Sequence, residues 1–274
     1  MTQEASHKAF PWRARRIGRI NGLGLATLYA REVRRFLKVY LQTIAAPAVT
    51  TLLFLLIFVV ALGRDGRVIA GLKFADFLAP GLIAMAIIQN AFANTSSSIL
   101  IGKVQGAILD VLMPPLSPGE LTLGYVAGGV TRGVLVGLAV AAPMLLWPGV
   151  SVRVAHFWAL AYFAVSAAVM LSLMGILTAI WADKFDHAAA VTNFVIQPLS
   201  LLSGTFYSIS ALPPPWQAVS HANPFFYLID GMRYGMTGHA DGHLLLGAGV
   251  TLGINAALWG FSRHLFASGY KLRS

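Results

Sequence analysis

Long runs of apolar positions, separated by short polar intervals, dominate this chain. Six of them cover residues 44–62, 77–101, 121–147, 157–181, 188–209 and 244–262. Each has at least the roughly 17–25 residues a helix needs to cross a hydrocarbon core about 30 Å thick. Only one charged side chain, Arg132, falls inside any run. The pattern predicts an all-α polytopic membrane protein with six transmembrane helices.

The intervals between the runs carry their own patterns. In residues 24–42, Leu25, Leu28, Tyr29, Val33, Phe36, Leu37 and Tyr40 recur at spacings of three and four, while Arg31, Arg34, Arg35 and Lys38 take much of the other side. This two-faced spacing predicts an amphipathic helix lying in the inner headgroup region; a plain extension of the first span is the alternative. Ahead of it, residues 1–19 read as a basic arm. The predicted organisation is therefore a cytoplasmic arm with an interfacial helix, residues 1–43, and a single transmembrane domain, residues 44–274.

Two further intervals are informative. Residues 103–113 are rich in apolar side chains and end at Pro114-Pro115, followed by Ser117, Pro118 and Gly119. Proline lacks the amide hydrogen and disfavours helix in the residue before it, so a short helix and then a turn are expected on the inner side; a simple connector is the alternative. On the outer side, Leu212-Pro-Pro-Pro-Trp216 and Asn223-Pro224 read as turns. The apolar stretch from Phe225 to Tyr234 is too short to span and too apolar for water, which fits a re-entrant or interface-bound helix. Its aromatic residues Phe225, Phe226 and Tyr227, with Trp216, are placed to face lipid or glycan, or to anchor at the interface.

Charge sharpens the topology. Charged residues make up 11% of the chain, against roughly 25% in soluble domains. The net charge of +10 does not point to nucleic acid, because the cations gather at membrane borders. Lys8, Arg13, Arg15, Arg16, Arg19, Arg31, Arg34, Arg35 and Lys38 precede the first run, and Arg263, Lys271 and Arg273 follow the last. The positive-inside rule then puts both termini in the cytoplasm, which an even number of spans permits. The chain has no cysteine, which removes disulfides, thiolate metal sites and a cysteine nucleophile.

Few residues carry candidate chemistry. Arg132 sits about halfway along the third run, where an ionisable residue is a functional candidate by default. Its alternatives are a snorkelling stem or a helix-end carbonyl partner. Gly124 and Gly128 form one small-residue series in that run, and Gly129, Gly133 and Gly137 a second. Both predict close helix packing, and Gly249 with Gly253 repeats the pattern weakly in the last run. Asp230 and Arg233 share a helix face and can pair. Asp183, Lys184, Asp186 and His187 read as a solvated inner turn rather than a metal site. No phosphate-binding Gly-x-x-x-x-Gly-Lys-Ser/Thr loop occurs, and no Asp or Glu lies within a run, where ion-coupled transporters usually keep one. A transporter built this way takes its energy from a partner chain; a self-sufficient secondary transporter or channel is the alternative.

Three segments carry a resemblance. They are Phe77-Leu-Ala-Pro-Gly-Leu-Ile83 with Asn90-Ala-Phe-Ala-Asn94, Gly124-Tyr-Val-Ala-Gly-Gly-Val-Thr-Arg-Gly133, and Leu212-Pro-Pro-Pro-Trp-Gln217 through Asn223-Pro224 to Asp230-Gly-Met-Arg-Tyr-Gly235. The chain resembles the ABC-2 type permeases, the membrane subunits of bacterial ATP-binding-cassette exporters, in their YadH-like inner-membrane branch. The resemblance implies a homodimer in the inner membrane, each copy docking one cytoplasmic ATPase subunit that binds the ATP. It implies no enzyme activity, bound cofactor or metal on this chain. It further implies that Val104, Gln105, Ile108, Leu109 and Asp110 belong to a coupling helix seated in the ATPase, and that residues 213–235 form the outer re-entrant segment.

Overall fold

The computed structural model of the chain describes residue 18 and residues 20–62, 68–146, 150 and 153–272. Most of the basic arm, the Arg64 and Arg67 interval and Trp147 at the end of the third run lie outside these residues. The described chain is a helical bundle. Helix α1 (Gly22–Leu37) is amphipathic and starts at Asn21, whose side chain accepts the Gly24 amide at 3.0 Å. A π-helical turn (Leu41–Ala45) leads into α2 (Ala46–Leu62). A tight hairpin of β1 (Val68–Ile69) and β2 (Leu72–Lys73), turning at Gly71 with φ +79°, feeds α3 (Phe74–Val104).

Helix α3 ends two residues before Gly106, whose φ of +71° reverses the chain into the short α4 (Ile108–Leu112). The expected short helix at 103–113 thus exists, but it is shorter: Lys103 and Val104 complete α3 instead. Helix α5 (Pro118–Leu145) starts at a capping box in which Ser117 and Glu120 satisfy each other's backbone amides, the reciprocal arrangement that fixes a helix start. Helix α6 (Phe157–Trp181) occupies the expected fourth run, and α11 (Leu244–Ser268) continues past the end of the sixth.

The run at 188–209 departs from expectation. It is helical only through α7 (Phe185–Val191), a π-helical turn (Thr192–Ile196) and α8 (Gln197–Leu201). The chain then turns at Gly204, φ +72°. This continuous helix rises about 25 Å at 1.5 Å per residue, short of a full hydrocarbon core. Among the described residues, five helices are long and apolar enough to cross a membrane. After a 3-10 turn (Ile209–Ala211), α9 (Pro214–Ala222) and α10 (Pro224–Thr237) fill the interval before α11.

Helices α3 and α6 form the centre, with α5, α10 and part of α11 packed around them. Glycine permits the closest crossings. A Cβ on Gly175 of α6 would stand 2.7 Å from the Phe92 carbonyl of α3, and one on Gly235 of α10 would stand 2.5 Å from the Leu160 amide of α6.

Candidate functional site

A polar seam runs down one side of α3. Asn94 follows Asn90 by four residues, and Ser97 and Ser98 follow Asn94 by three and four, so all four lie toward one face. Helix α1 lays Glu32 and Arg35 against it. Glu32 is fully buried: the Ser98 hydroxyl donates to its Oε1 at 2.7 Å, and Arg35 donates to its Oε2 at 3.3 Å. Arg35 also donates to the Asn94 carbonyl at 2.7 Å, to Asn94 Oδ1 at 3.0 Å and to Ser97 at 3.1 Å. Arg132 arrives from α5, buried to 9% exposure, and donates to Asn90 Oδ1 at 3.1 Å. It neither snorkels nor caps a helix; an asparagine on the neighbouring helix receives it. Burying these cations and the carboxylate is costly unless each finds partners; the seam gives every charged group at least one, while Arg35 Nε, Arg132 Nε and Asn94 Nδ2 have none.

Glu32 escapes the sequence pattern because it sits among arginines. Its signal is nevertheless there, since Leu28, Glu32 and Phe36 repeat every four residues and all three are buried. A carboxylate on the apolar stripe of an amphipathic helix marks a buried partner.

The two glycine series of α5 face different neighbours. A Cβ on Gly124 or Gly128 would meet Leu28 or, at 2.6 Å, the Glu32 Cβ of α1. Gly129 faces Ser172 of α6 and Thr95 of α3, while Gly133 and Gly137 face Ile87 of α3. By contrast, Gly249 and Gly253 of α11 have no atom within 4 Å of such a Cβ.

Just past the end of α3, α4 has a buried side and an open side. Ile108 and Val111 are 6% and 5% exposed and join the cluster of Leu28, Ile99 and Leu121. Val104, Leu109 and Met113 are 55%, 50% and 82% exposed. Gln105 and Asp110 are exposed as well. A groove of about 620 Å³ runs between the start of α1 and α4, with Thr27, Arg31, Asp110 and Pro115 along its walls. Lys103 donates to three carbonyls at the end of α6, Ala179, Ile180 and Ala182, at 3.2, 2.8 and 2.7 Å. Asp183 lies 3.7 Å from Lys103 and accepts from Lys271 at 3.0 Å. The Lys271 ammonium holds its carboxyl below the usual aspartate range. Among the described residues, no group of three or more His, Cys, Asp or Glu side chains is placed to hold a metal ion.

Near the start of α3, Arg233 and Asp230 are brought together, 3.8 Å apart and buried. Arg233 donates to the Gly204 carbonyl at 2.6 Å and lies 3.9 Å over the Phe77 ring. Asp230 accepts the Asp241 and Gly242 amides at 2.8 and 3.0 Å, and Asp241 accepts the Ser208 hydroxyl at 2.8 Å. Asn223 ties α10 to α8 by donating to the Leu199 carbonyl and Ser203, both at 2.8 Å. Phe225 and Phe226 are buried, unlike the lipid-facing position open to them from sequence; Trp216 is exposed.

Comparison with known proteins gives a consistent result. The profile of the ABC-2 type transporter family matches residues 24–237. The chain is 38% identical over 253 residues to the inner membrane transport permease YadH of Escherichia coli K12, covering 92% of this chain and 98% of that one. It is 26% identical over 233 residues to nodulation protein J of Rhizobium leguminosarum bv. viciae, covering 84% and 88%.

Proposed function

Since this chain belongs to the ABC-2 type transporter family, and is thus a multi-pass membrane subunit of a transporter, we propose that it is an exporter permease working as a homodimer. A separate cytoplasmic ABC ATPase, which binds the ATP, drives it. In this reading the helix at 185–201 is a sixth, short span, both termini face the cytoplasm, α1 lies in the inner headgroup layer and α10 is the outer re-entrant segment. The transmembrane domain is a single unit from residue 44 onward.

The observation that carries the proposal is the two-sidedness of α4. Ile108 and Val111 anchor it, while Leu109 and Met113, with Val104 at the end of α3, leave an apolar surface uncovered beside Gln105 and Asp110. Apolar side chains projecting from the polar end of a membrane bundle call for a protein partner. Here Ile108 fastens the lever, and its neighbours supply the contact.

The test is a mild-detergent pull-down of the tagged chain with mass spectrometry and an ATPase assay. A stoichiometric ATPase subunit, lost or uncoupled in Asp110→Lys and Ile108→Pro, is the expected result. A pure chain that transports without ATP would overturn the proposal. The buried Glu32 gives a secondary transporter one point in favour, because coupled transporters keep such carboxylates; its pairing with Arg35 and Ser98 is that of a structural group. Flux that depends on pH with no nucleotide present would favour that second reading.

A further inference from the structure

We propose that α1 recognises anionic phospholipid headgroups at the inner face of the membrane, through Arg34 and Lys38. This rests on the placement of α1 in the inner headgroup layer proposed above and names the lipid class it meets there.

Helix α1 has three faces rather than two. At 3.6 residues per turn, Leu28, Glu32 and Phe36 form the buried face. Tyr29 and Leu37, 38% and 43% exposed, mark an apolar arc on one flank of it. Arg31, Arg34 and Lys38 are exposed and lie together on the other flank. An open apolar arc beside a cationic one is the arrangement of a helix lying in the interface of an anionic membrane.

The cations are uncompensated. Helix α1 has one acid, Glu32, and it is buried, where Ser98 and Arg35 hold it. Arg34 and Lys38 stand four residues apart, a spacing at which like charges repel. Among the described residues, neither forms an ion pair. Arg31 differs, since it shares the groove wall with Asp110.

Two lengths put the pair at the level of the lipid phosphates. The span Leu41–Ala61 starts three residues after Lys38. Its 21 residues rise about 30 Å, one hydrocarbon thickness. Arg35, next to Arg34, grips Asn94, which lies 20 residues along α3 from Phe74; that distance is again about 30 Å. A zwitterionic headgroup brings its own cation and gains little from the pair. An anionic headgroup bridges the two side chains and removes their repulsion.

The absence of cysteine lets a single thiol report on the lipid beside α1. Leu37→Cys, on the apolar arc next to the pair, is labelled with bimane in lipid nanodiscs. Quenching by acyl-brominated phosphatidylglycerol is compared with quenching by acyl-brominated phosphatidylcholine. Gly253→Cys on α11, where an added Cβ meets nothing within 4 Å, is the control. The ratio of the two lipid association constants is expected to be about fivefold at Leu37→Cys, the factor one near-surface cation supplies, and close to one at Gly253→Cys. About 1 M salt should bring the first ratio toward the second. Arg34→Gln with Lys38→Gln should remove the preference, and Arg34→Lys with Lys38→Arg should keep it. Both positions are exposed, so all these variants should fold. A preference that survives the glutamine pair would overturn the proposal. So would a glutamine pair that loses the captured ATPase when the parent shows no lipid preference, which assigns the two cations to the partner subunit. Equal quenching by both lipids at Leu37→Cys removes only this inference. Quenching by neither lipid there, with normal quenching at Gly253→Cys, takes α1 out of the headgroup layer as well.

Discussion

Helices α2 and α3 are neighbours in sequence and opposites in use. The most apolar 18 residues of the helix continuous with α2 have a mean hydropathy of 2.6, yet 11% of them are buried; for α3 the values are 1.4 and 83%. In water the more apolar helix would be the buried one. Lipid inverts this rule, because hydrocarbon is as apolar as leucine and offers nothing to an amide or hydroxyl. The protein interior is therefore where α3 keeps Asn90, Asn94, Ser97 and Ser98. The apolar surface of α2 is left for lipid or for a second copy.

The sharpest way to break this contrast is to overfill α3's crossings. Gly129→Leu drives a side chain into Ser172 and Thr95 and is expected to cost about 3 kcal/mol, read as lost folded yield and a lower Tm in detergent. Normal yield would mean that the bundle is looser than described. Next comes the seam: Glu32→Ala takes from Ser98 its carboxylate acceptor and from Arg35 one of several and should cost about 2 kcal/mol, with Glu32→Gln retaining part of it. Equal losses from both variants would show that charge, not hydrogen bonding, matters there. On α2, Ile57 is 59% exposed, so Ile57→Ala should change stability by less than about 0.5 kcal/mol. A larger loss that depends on protein concentration would reveal a covering copy.

The smallest effect is expected at Asp183. Its carboxyl is held low in the folded chain by Lys271, so its contribution is present above the unfolded pKa of about 3.9. That contribution is lost as pH falls through the lower folded value. A Tm-versus-pH series on the parent and Asp183→Asn should converge in acid, with a modest gap at neutral pH because the pair is solvent-exposed. Parallel curves would remove the assignment.

Span positions are legible because an unbroken apolar run of that length has little use except in lipid. The helix from Phe157 to Trp181 matches its run. The run at 188–209 misleads because apolar content continues through a turn at Gly204 that is stabilised by Arg233 from a distant helix; no local pattern reports that contact. The glycine series of α5 announces close packing, but the sequence does not say that one faces α1 and the other α3. The pairing of Arg132 with Asn90 is equally hidden, since its partner lies 42 positions away. Lys103 looks like part of a projecting helix and instead binds the end of α6.

That lysine has a mechanical consequence. Lys103 at the end of α3 grips the α6 terminus, and Asp183 beside it is gripped by Lys271 just past α11. Three long helices are thus tied together at one end of the bundle, like the legs of a tripod at its head. A displacement of any one of these three helix ends is therefore shared with the other two through Lys103 and Asp183.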